Sequence, residues 1–333
     1  MSVELTPLSA AVRRGDPRAL ARAITLVENE TAQGRALIGE LYAESGAARV
    51  IGVTGPPGAG KSTLVDQLIR HARQLGHAVG VLAVDPTSAF TGGAILGDRV
   101  RMGTHAGDAG VFIRSMATRG QLGGLARAAD DAAVVLAAGG KDVIIIETVG
   151  VGQDEIDIAQ AADVSVVVLV PGTGDDVQAI KAGIMEIGDV FVVNKADRDG
   201  ADRLMQSIEM NLSLNRYRDG DWRPPVLKTV ATTGDGIERL WQSIDAFMSA
   251  QAPSRARRLQ RQHARLRQLV ADACLRRVEE ALPPGEFDRT VERVALRQTD
   301  AYSAAEGMLQ AVFRPSSQDE PGKAVPRQSG KRS

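Results

Sequence analysis

Gly55, Gly60, Lys61 and Ser62 satisfy G-x-x-x-x-G-K-[ST] within the stretch "GVTGPPGAGKSTLVDQL". The pattern leaves an apolar run that reads as a strand and enters a run that reads as a helix, the context in which such a loop cradles phosphate. Gly55, Pro56, Pro57, Gly58, Ala59, Gly60, Lys61, Ser62 and Thr63 are therefore the expected phosphate-binding residues. The glycines let consecutive amides turn toward phosphate oxygens, and the helix start adds positive potential. Lys61 is placed to neutralise oxygens that gain charge during phosphoryl transfer, and the Ser62 hydroxyl to ligate Mg2+.

A second pattern chooses the base. "VVNKAD" ends an apolar run and sets Asn194, Lys195 and Asp197 in N-K-x-D spacing, which resembles the guanine pocket of GTP-binding proteins. A carboxylate at Asp197 accepts from both N1–H and the 2-amino group of guanine, whereas adenine presents neither donor on that edge. An unmatched buried carboxylate costs on the order of 1 to 3 kcal/mol or more, so GTP is expected over ATP. Ala231 and Thr232, in "TVATTGDGI", are expected to present backbone to the base.

Further carboxylates stand near strand ends. "IIIETVGVGQDE" places Glu147 and then Gly150 in a D-x-x-G-like element with Glu for Asp. Glu147 is expected to hold Mg2+ directly or through water and the Gly150 amide to touch the γ-phosphate, so that losing this phosphate releases the segment. Gln153 is a candidate for orienting water, although its spacing differs from the Gln that directly follows D-x-x-G in Ras-like proteins; a partner residue is the alternative. Asp85 and Asp98, in "VDPTSAFTGGAILGDRVRM", are two more candidate Mg2+ ligands. Lys181, in "PGTGDDVQAIKAGI", is a candidate contact to nucleotide or partner or simply a solvated helix residue.

Positioning these groups requires an α/β framework. Six β-rich runs, "RVIGVTG", "AVGVLAVD", "DVIIIETVG", "VSVVVLVP", "VFVVNKAD" and "PPVLKTVA", alternate with helical stretches. That alternation predicts a P-loop fold with a mostly parallel sheet, and the near-continuous Val, Ile and Leu content predicts strands buried on both faces. Residues 8–44 read as a helical lead-in. After residue 247 the composition shifts: 253–282 reads as one long helix with an apolar stripe of Leu259, Leu266, Leu269, Val270, Ala273 and Val278, ended by Pro283, Pro284 and Gly285. A second helix is expected over 287–313 and a disordered tail after it. The expected domains are an N-terminal helical segment (1–47), a G domain (48–250), a helical arm (251–314) and the tail (315–333).

Composition narrows the classes. Across 333 residues the net charge is −1 with 24% charged residues, so no global pull toward nucleic acid or membrane exists. Eight arginines lie between Arg255 and Arg277, but aromatic interleaving is missing, which favours a solvated helix face over an RNA surface. The apolar runs are too short to span a bilayer. A single cysteine, Cys274, fits a reducing cytoplasm and is expected as a buried packing residue. The four histidines, His71, His77, His105 and His263, are dispersed without a thiolate cluster, so metal delivery is not expected and surface or packing roles are.

Taken together, "GPPGAGKST", "VDPTSAFTGGAILGDRVRM", "FIRSMATRGQLGGLA", "ETVGVGQDEIDIA", "PGTGDDVQAIKAGI" and "VNKAD" closely resemble the MeaB/ArgK family of SIMIBI-class GTPases, over roughly residues 10–313. The resemblance implies a cytoplasmic homodimer, with the long helix as dimerisation arm. It implies GTP, GDP and Mg2+ as ligands, with the metal surrounded by Ser62, Asp85, Asp98 and Glu147. It further implies a chaperone of an adenosylcobalamin-dependent acyl-CoA mutase, above all methylmalonyl-CoA mutase, gating cofactor loading and protecting the mutase. A cobalamin adenosyltransferase is a further candidate partner. The competing readings are a kinase of a transport-system component, for which no acceptor motif is seen, and a basic RNA-binding helix with an incidental GTPase.

Overall fold

The computed structural model describes residues 6–45, 48–85, 103–105, 107–117, 124–148, 161–172, 184–218, 220–251 and 255–313. By internal contacts the chain divides into two units, Met1–Arg261 and Gln262–Ser333.

In the first unit, three helices, α1 (Thr6–Arg13), α2 (Pro17–Glu28) and α3 (Ala32–Leu41), precede a seven-stranded sheet. The strands are β1 (Arg49–Thr54), β2 (Val79–Asp85), β3 (Val111–Ala117), β4 (Val143–Thr148), β5 (Val164–Leu169), β6 (Val190–Asn194) and β7 (Val226–Thr229). Between or after them run α4 (Lys61–Gln74), α5 (Gly124–Ala138), α6 (Ile184–Ile187), α7 (Ala201–Ser213) and α8 (Ile237–Gln251). The strand order is β3-β2-β4-β1-β5-β6-β7, and every pairing is parallel. The doubly wound P-loop architecture is thus as expected, with one strand more than the six apolar runs.

The additional strand is β3. Its sequence VFIRSMA interrupts the apolar run with Arg114 and Ser115, which an edge strand tolerates because only one neighbour, β2, pairs with it. The lead-in expected as one helical stretch is three helices. Asp16 caps α2 by accepting from the Ala19 amide at 2.7 Å with Pro17 behind it, and Thr31 caps α3 by accepting from the Gly34 amide at 2.9 Å. α2 and α3 then press together at Gly34, where a Cβ would stand 2.5 Å from the Leu26 carbonyl oxygen.

The strands divide the core by their period of two. Ile51 and Val53 of β1, Val143 and Ile145 of β4, and Val164, Val166 and Val168 of β5 face α4 and α8. Ile144 and Ile146 of β4 face the other way, onto α2, α3 and α5. α4 supplies Leu64, Val65, Leu68, Ile69 and Ala72 at helical spacing, and α8 answers with Leu240, Trp241, Ile244 and Phe247.

Register is fixed at the opposite end from the phosphate loop by three aspartates. The Asp142 carboxylate accepts from the Ala78 amide at 2.7 Å, Asp163 from the Val50 amide at 2.9 Å and Asp189 from the Ser165 amide at 2.9 Å. Each directly precedes its own strand and ties it by this hydrogen bond to the start of its neighbour.

In the second unit, α9 (Arg255–Ala281), whose first residues belong to the other unit, is followed by α10 (Glu286–Ala295) and α11 (Ala301–Phe313). The helix expected over 287–313 is broken at Arg297, whose φ of +58° is a left-handed turn, and restarted by Asp300, whose carboxylate accepts from the Tyr302 and Ser303 amides. Cys274 is half-exposed rather than buried. Among the described residues no helix is long and apolar enough to cross a membrane. The expected tail, 315–333, lies outside the described residues.

Replacing Asp189 by Ala leaves the buried Ser165 amide without its acceptor. We expect a loss of about 1 to 3 kcal/mol in unfolding free energy, read by urea denaturation of the purified chain.

Candidate functional site

The carboxyl end of β1 lies between β4 and β5, where the chain's winding reverses, the position at which open α/β sheets bind ligands. Gly55 follows β1 at φ +139°, and a Cβ there would stand 2.0 Å from the Val168 carbonyl oxygen of β5. Only glycine lets the loop lie this close to the sheet. Gly58 and Gly60 also take positive φ, +77° and +85°, which turns successive amides to one side. Lys61, the first residue of α4, is 6% exposed, and its Nζ donates to the carbonyl oxygens of Gly55 at 2.6 Å and Pro56 at 2.9 Å. The loop is thus closed on its own lysine.

Ser62, on the next position of α4, donates its hydroxyl to the Glu147 carboxylate near the end of β4. Two expected metal ligands separated by 85 residues therefore meet. Both are hard oxygen donors, the set that Mg2+ takes beside phosphate oxygens. Directly beneath them Thr148 donates to Thr54 at 3.1 Å, tying β4 to β1. Asp85 ends β2, which runs parallel to β4 with Val84 opposite Thr148, so its backbone lies at the same edge of the sheet. The Asp85 side chain, and Asp98, Gly150, Gln153 and Lys181 altogether, lie outside the described residues.

The residues expected to select the base lie on the other side. Asn194, 1% exposed at the end of β6, donates through Nδ2 to the Ala59 carbonyl at 2.9 Å. Its Oδ1 accepts from the Thr229 hydroxyl and the Ala231 amide, each at 3.1 Å. A Cβ on Gly60 would stand 2.5 Å from that same Nδ2. Lys195 adopts φ +54° and lays its Nζ across the phosphate loop onto the Gly58 carbonyl at 2.8 Å. Asp197 is exposed and has no hydrogen bond to a described residue. Ala231 is 3% exposed and spends its amide on Asn194, while Thr232 is exposed in a tight turn in which the Thr233 and Gly234 amides donate to the Val230 carbonyl. Phosphate loop, N-K-x-D and the segment after β7 thus form one hydrogen-bonded unit.

Sequence reasoning missed a neighbouring contact. Asp66 of α4 pairs with His105 Nε2 at 2.7 Å and accepts from the Thr104 hydroxyl at 3.1 Å. No spacing announces it, because 39 residues separate the pair. His71 and His77, in contrast, pack beside Trp241 with ring centroids 5.6 and 6.1 Å away.

Comparison with known proteins bears on this arrangement. Residues 20–282 match the family model described as methylmalonyl Co-A mutase-associated GTPase MeaB. The chain belongs to the MeaB family. It is accordingly a GTPase, a hydrolase acting on GTP through a guanine-nucleotide site. It is 51% identical over 309 residues to a Pyrococcus abyssi protein named for GTPase activity, covering 91% of this chain and 95% of that one. Escherichia coli GTPase ArgK is 39% identical over 246 residues, covering 72% and 74%. A crystal structure described as LAO/AO transport system kinase has a TM-score of 0.68 at 28% identity, covering 92% of this chain and 97% of that one.

Asn194→Ala strands the Ala231 amide and the Ala59 carbonyl inside this MeaB-family site. We expect a loss of at least about 2 kcal/mol in stability together with a fall in GDP affinity, measured by thermal melting and fluorescent-GDP titration.

Proposed function

We propose that the chain is a switch GTPase that serves an adenosylcobalamin-dependent acyl-CoA mutase as its chaperone, gating cofactor loading, with methylmalonyl-CoA mutase as the first partner to test. The observation that carries this reading is the family match, whose description names the mutase. A relative from Mus musculus, named methylmalonic aciduria type A homolog, is 39% identical over 251 residues, covering 70% of this chain and 60% of that one, and supports the same metabolic setting.

The chemistry asked of the site is transfer of the γ-phosphoryl group to water: a bond forms between the water oxygen and phosphorus as the bridging β–γ bond breaks, leaving GDP and inorganic phosphate. Positioning and charge stabilisation suffice for this. The amides of 58–62 hold the phosphates, and Lys61 moves its ammonium from the Gly55 and Pro56 carbonyls to oxygens that gain charge. Asp197 accepts from guanine N1–H and the 2-amino group. Gly150 contacts the γ-phosphate, and Gln153 orients water. Ser62, Glu147, Asp85 and Asp98 are the residues that would hold Mg2+, which supplies charge neutralisation at the phosphates. A slow intrinsic rate suits a timer whose partner completes the site.

The second unit is proposed as the arm through which two copies associate in the cytoplasm. Among the described residues of that unit Val278 is buried, whereas Leu266, Leu269, Val270, Leu275, Val291 and Leu309 are exposed by 36 to 63%. A helical unit that leaves this surface uncovered gains too little from burial to offset its ordering, and a second copy provides a matching face.

The second reading, a transport-system kinase, is favoured by the description of the similar crystal structure. Release of inorganic phosphate against appearance of label on an acceptor separates the two. We expect GTP-selective phosphate release that rises when an adenosylcobalamin-dependent acyl-CoA mutase from the same genome is added; label on an acceptor would sink the chaperone reading. Lys61→Ala should lower the turnover by about 100-fold or more, and Asp197→Ala should remove most of the preference for GTP over ATP, both read by phosphate release. Leu266→Glu combined with Val270→Glu should shift the sedimentation coefficient from that of a dimer to that of a monomer.

A further inference from the structure

The rungs of the sheet run out unevenly beside the phosphate loop. Between β1 and β4 the parallel register ends with Val53 opposite Glu147. On their outer sides both strands continue for one residue more: Thr54 of β1 lies opposite Val167 of β5, and Thr148 of β4 opposite Val84 of β2. At the level of Thr54 and Thr148 the seam between β1 and β4 has thus passed the last pair of its own ladder. There the Thr148 hydroxyl donates to Thr54 Oγ1 at 3.1 Å. Both residues are 2% exposed, so little water competes for the bond.

That seam separates two oxygen donors of the site. Ser62 stands on α4, which the loop after β1 leads into, and Glu147 stands on β4. Side chains of β4 alternate between the two faces of the sheet: Val143 and Ile145 pack toward α4 and α8, Ile144 and Ile146 toward α2, α3 and α5. Glu147 continues the first series and reaches Ser62, whereas Thr148 continues the second, so the hydroxyl bond backs that contact from the reverse face. β1 is held to β5 here by the pairing of Thr54 with Val167 and by the approach of Gly55 to the Val168 carbonyl oxygen. Toward β4 the hydroxyl bond takes over where the ladder stops.

We propose that Thr54 and Thr148 are positioning residues for the metal side of the nucleotide site: their hydroxyl bond keeps the β1–β4 seam closed one residue beyond its ladder and so sets where Glu147 stands relative to Ser62. This rests on the reading of Ser62 and Glu147 as magnesium ligands. Mg2+ demands near-ideal octahedral geometry, so a small opening of the seam weakens its hold. The threonines act through the backbone and not by contact with nucleotide or metal.

The test uses the full chain and fluorescent GDP, titrated first in EDTA and then against Mg2+, with thermal melting of every variant. Thr148→Val strands the buried Thr54 hydroxyl, so this variant should melt earlier than wild type. Combining it with Thr54→Val removes both hydroxyls at nearly constant shape, a change close to neutral for stability, so the melting temperature should recover. The Mg2+ requirement should not recover: in single and double variants alike, the Mg2+ concentration for half-maximal stabilisation of bound GDP should rise about tenfold while the EDTA affinity stays within about twofold, the scale on which residues that orient a metal's ligands act. Thr148→Ser, which keeps the hydroxyl, should restore most of the loss. Arg49→Ala, which removes a part-exposed ion pair with Asp245 at the far end of β1, should leave the Mg2+ requirement unmoved. A requirement that stays at the wild-type value in the Val variants, or that returns with the melting temperature in the double variant, would overturn the positioning role; should a Val variant fail to fold, Thr54→Ala and Thr148→Ala decide it by the same readout. Wild-type protein whose GDP affinity ignores Mg2+ would overturn the metal assignment itself and the positioning role with it.

Discussion

The side-chain amide of Asn194 is the interaction on which the site's coherence rests. It is buried at the end of β6 and joins to that strand two segments that the sequence keeps far apart: Ala59 in the phosphate loop, and Thr229 and Ala231 at and just beyond the end of β7. Each partner is itself buried or pressed against the sheet, so an unmade bond here costs more than an exposed one. Gly55 and Gly60 are part of the same constraint, since a side chain at either would drive the loop off β5 or off Asn194. The phosphate loop and the N-K-x-D segment are therefore held in one relation by the fold, before any ligand contributes. That relation is what the selector role proposed for Asp197 requires, because discrimination needs a base whose edge arrives at a fixed place.

Much of this was legible in the sequence, and the reasons are physical. β1, β4, β5 and β6 are central strands buried on both faces, so their apolar runs are continuous; the phosphate loop and N-K-x-D are read from contiguous residues whose chemistry admits few substitutes. What escaped reading depends on partners distant in sequence or on exposure. β3 lies at the sheet edge, where Arg114 can stand on a strand and donate to the Thr25 hydroxyl of α2 at 3.0 Å. The aspartates that tie the starts of neighbouring strands look like ordinary turn residues. The break at Arg297 shows no glycine or proline, and a left-handed arginine is a conformation that composition does not signal.

The second unit raises a different question of balance. α9 keeps a hydrophobic period along its length, yet Leu259, Leu266 and Val270 are more than half exposed. Arg267, Arg277, Glu279 and Glu280 are exposed on the same helix, and a solvated helix this long gains little stability from propensity alone. Apolar residues left exposed at this spacing are what the proposed association of two copies would cover. Cys274 fits this view: on such a helix a small residue is half-covered, neither core nor fully solvated.

The two ends of the sheet also divide the labour. At the amino ends, Asp142, Asp163 and Asp189 lock neighbouring strands through backbone amides, and Lys141 reaches the Gly110 carbonyl at 3.2 Å from a buried place that lowers its pKa, chiefly by desolvation. These contacts tolerate no movement without exposing unpaired groups. At the carboxyl ends the contacts are exchangeable: Lys61 and Lys195 donate to loop carbonyls, and Ser62 donates to Glu147, all groups that can pass to phosphate or cation at small cost because one charged or polar partner replaces another. A rigid base and an exchangeable rim are what a nucleotide-driven switch requires, since ligand exchange can then shift the loops without loosening the strands that aim them.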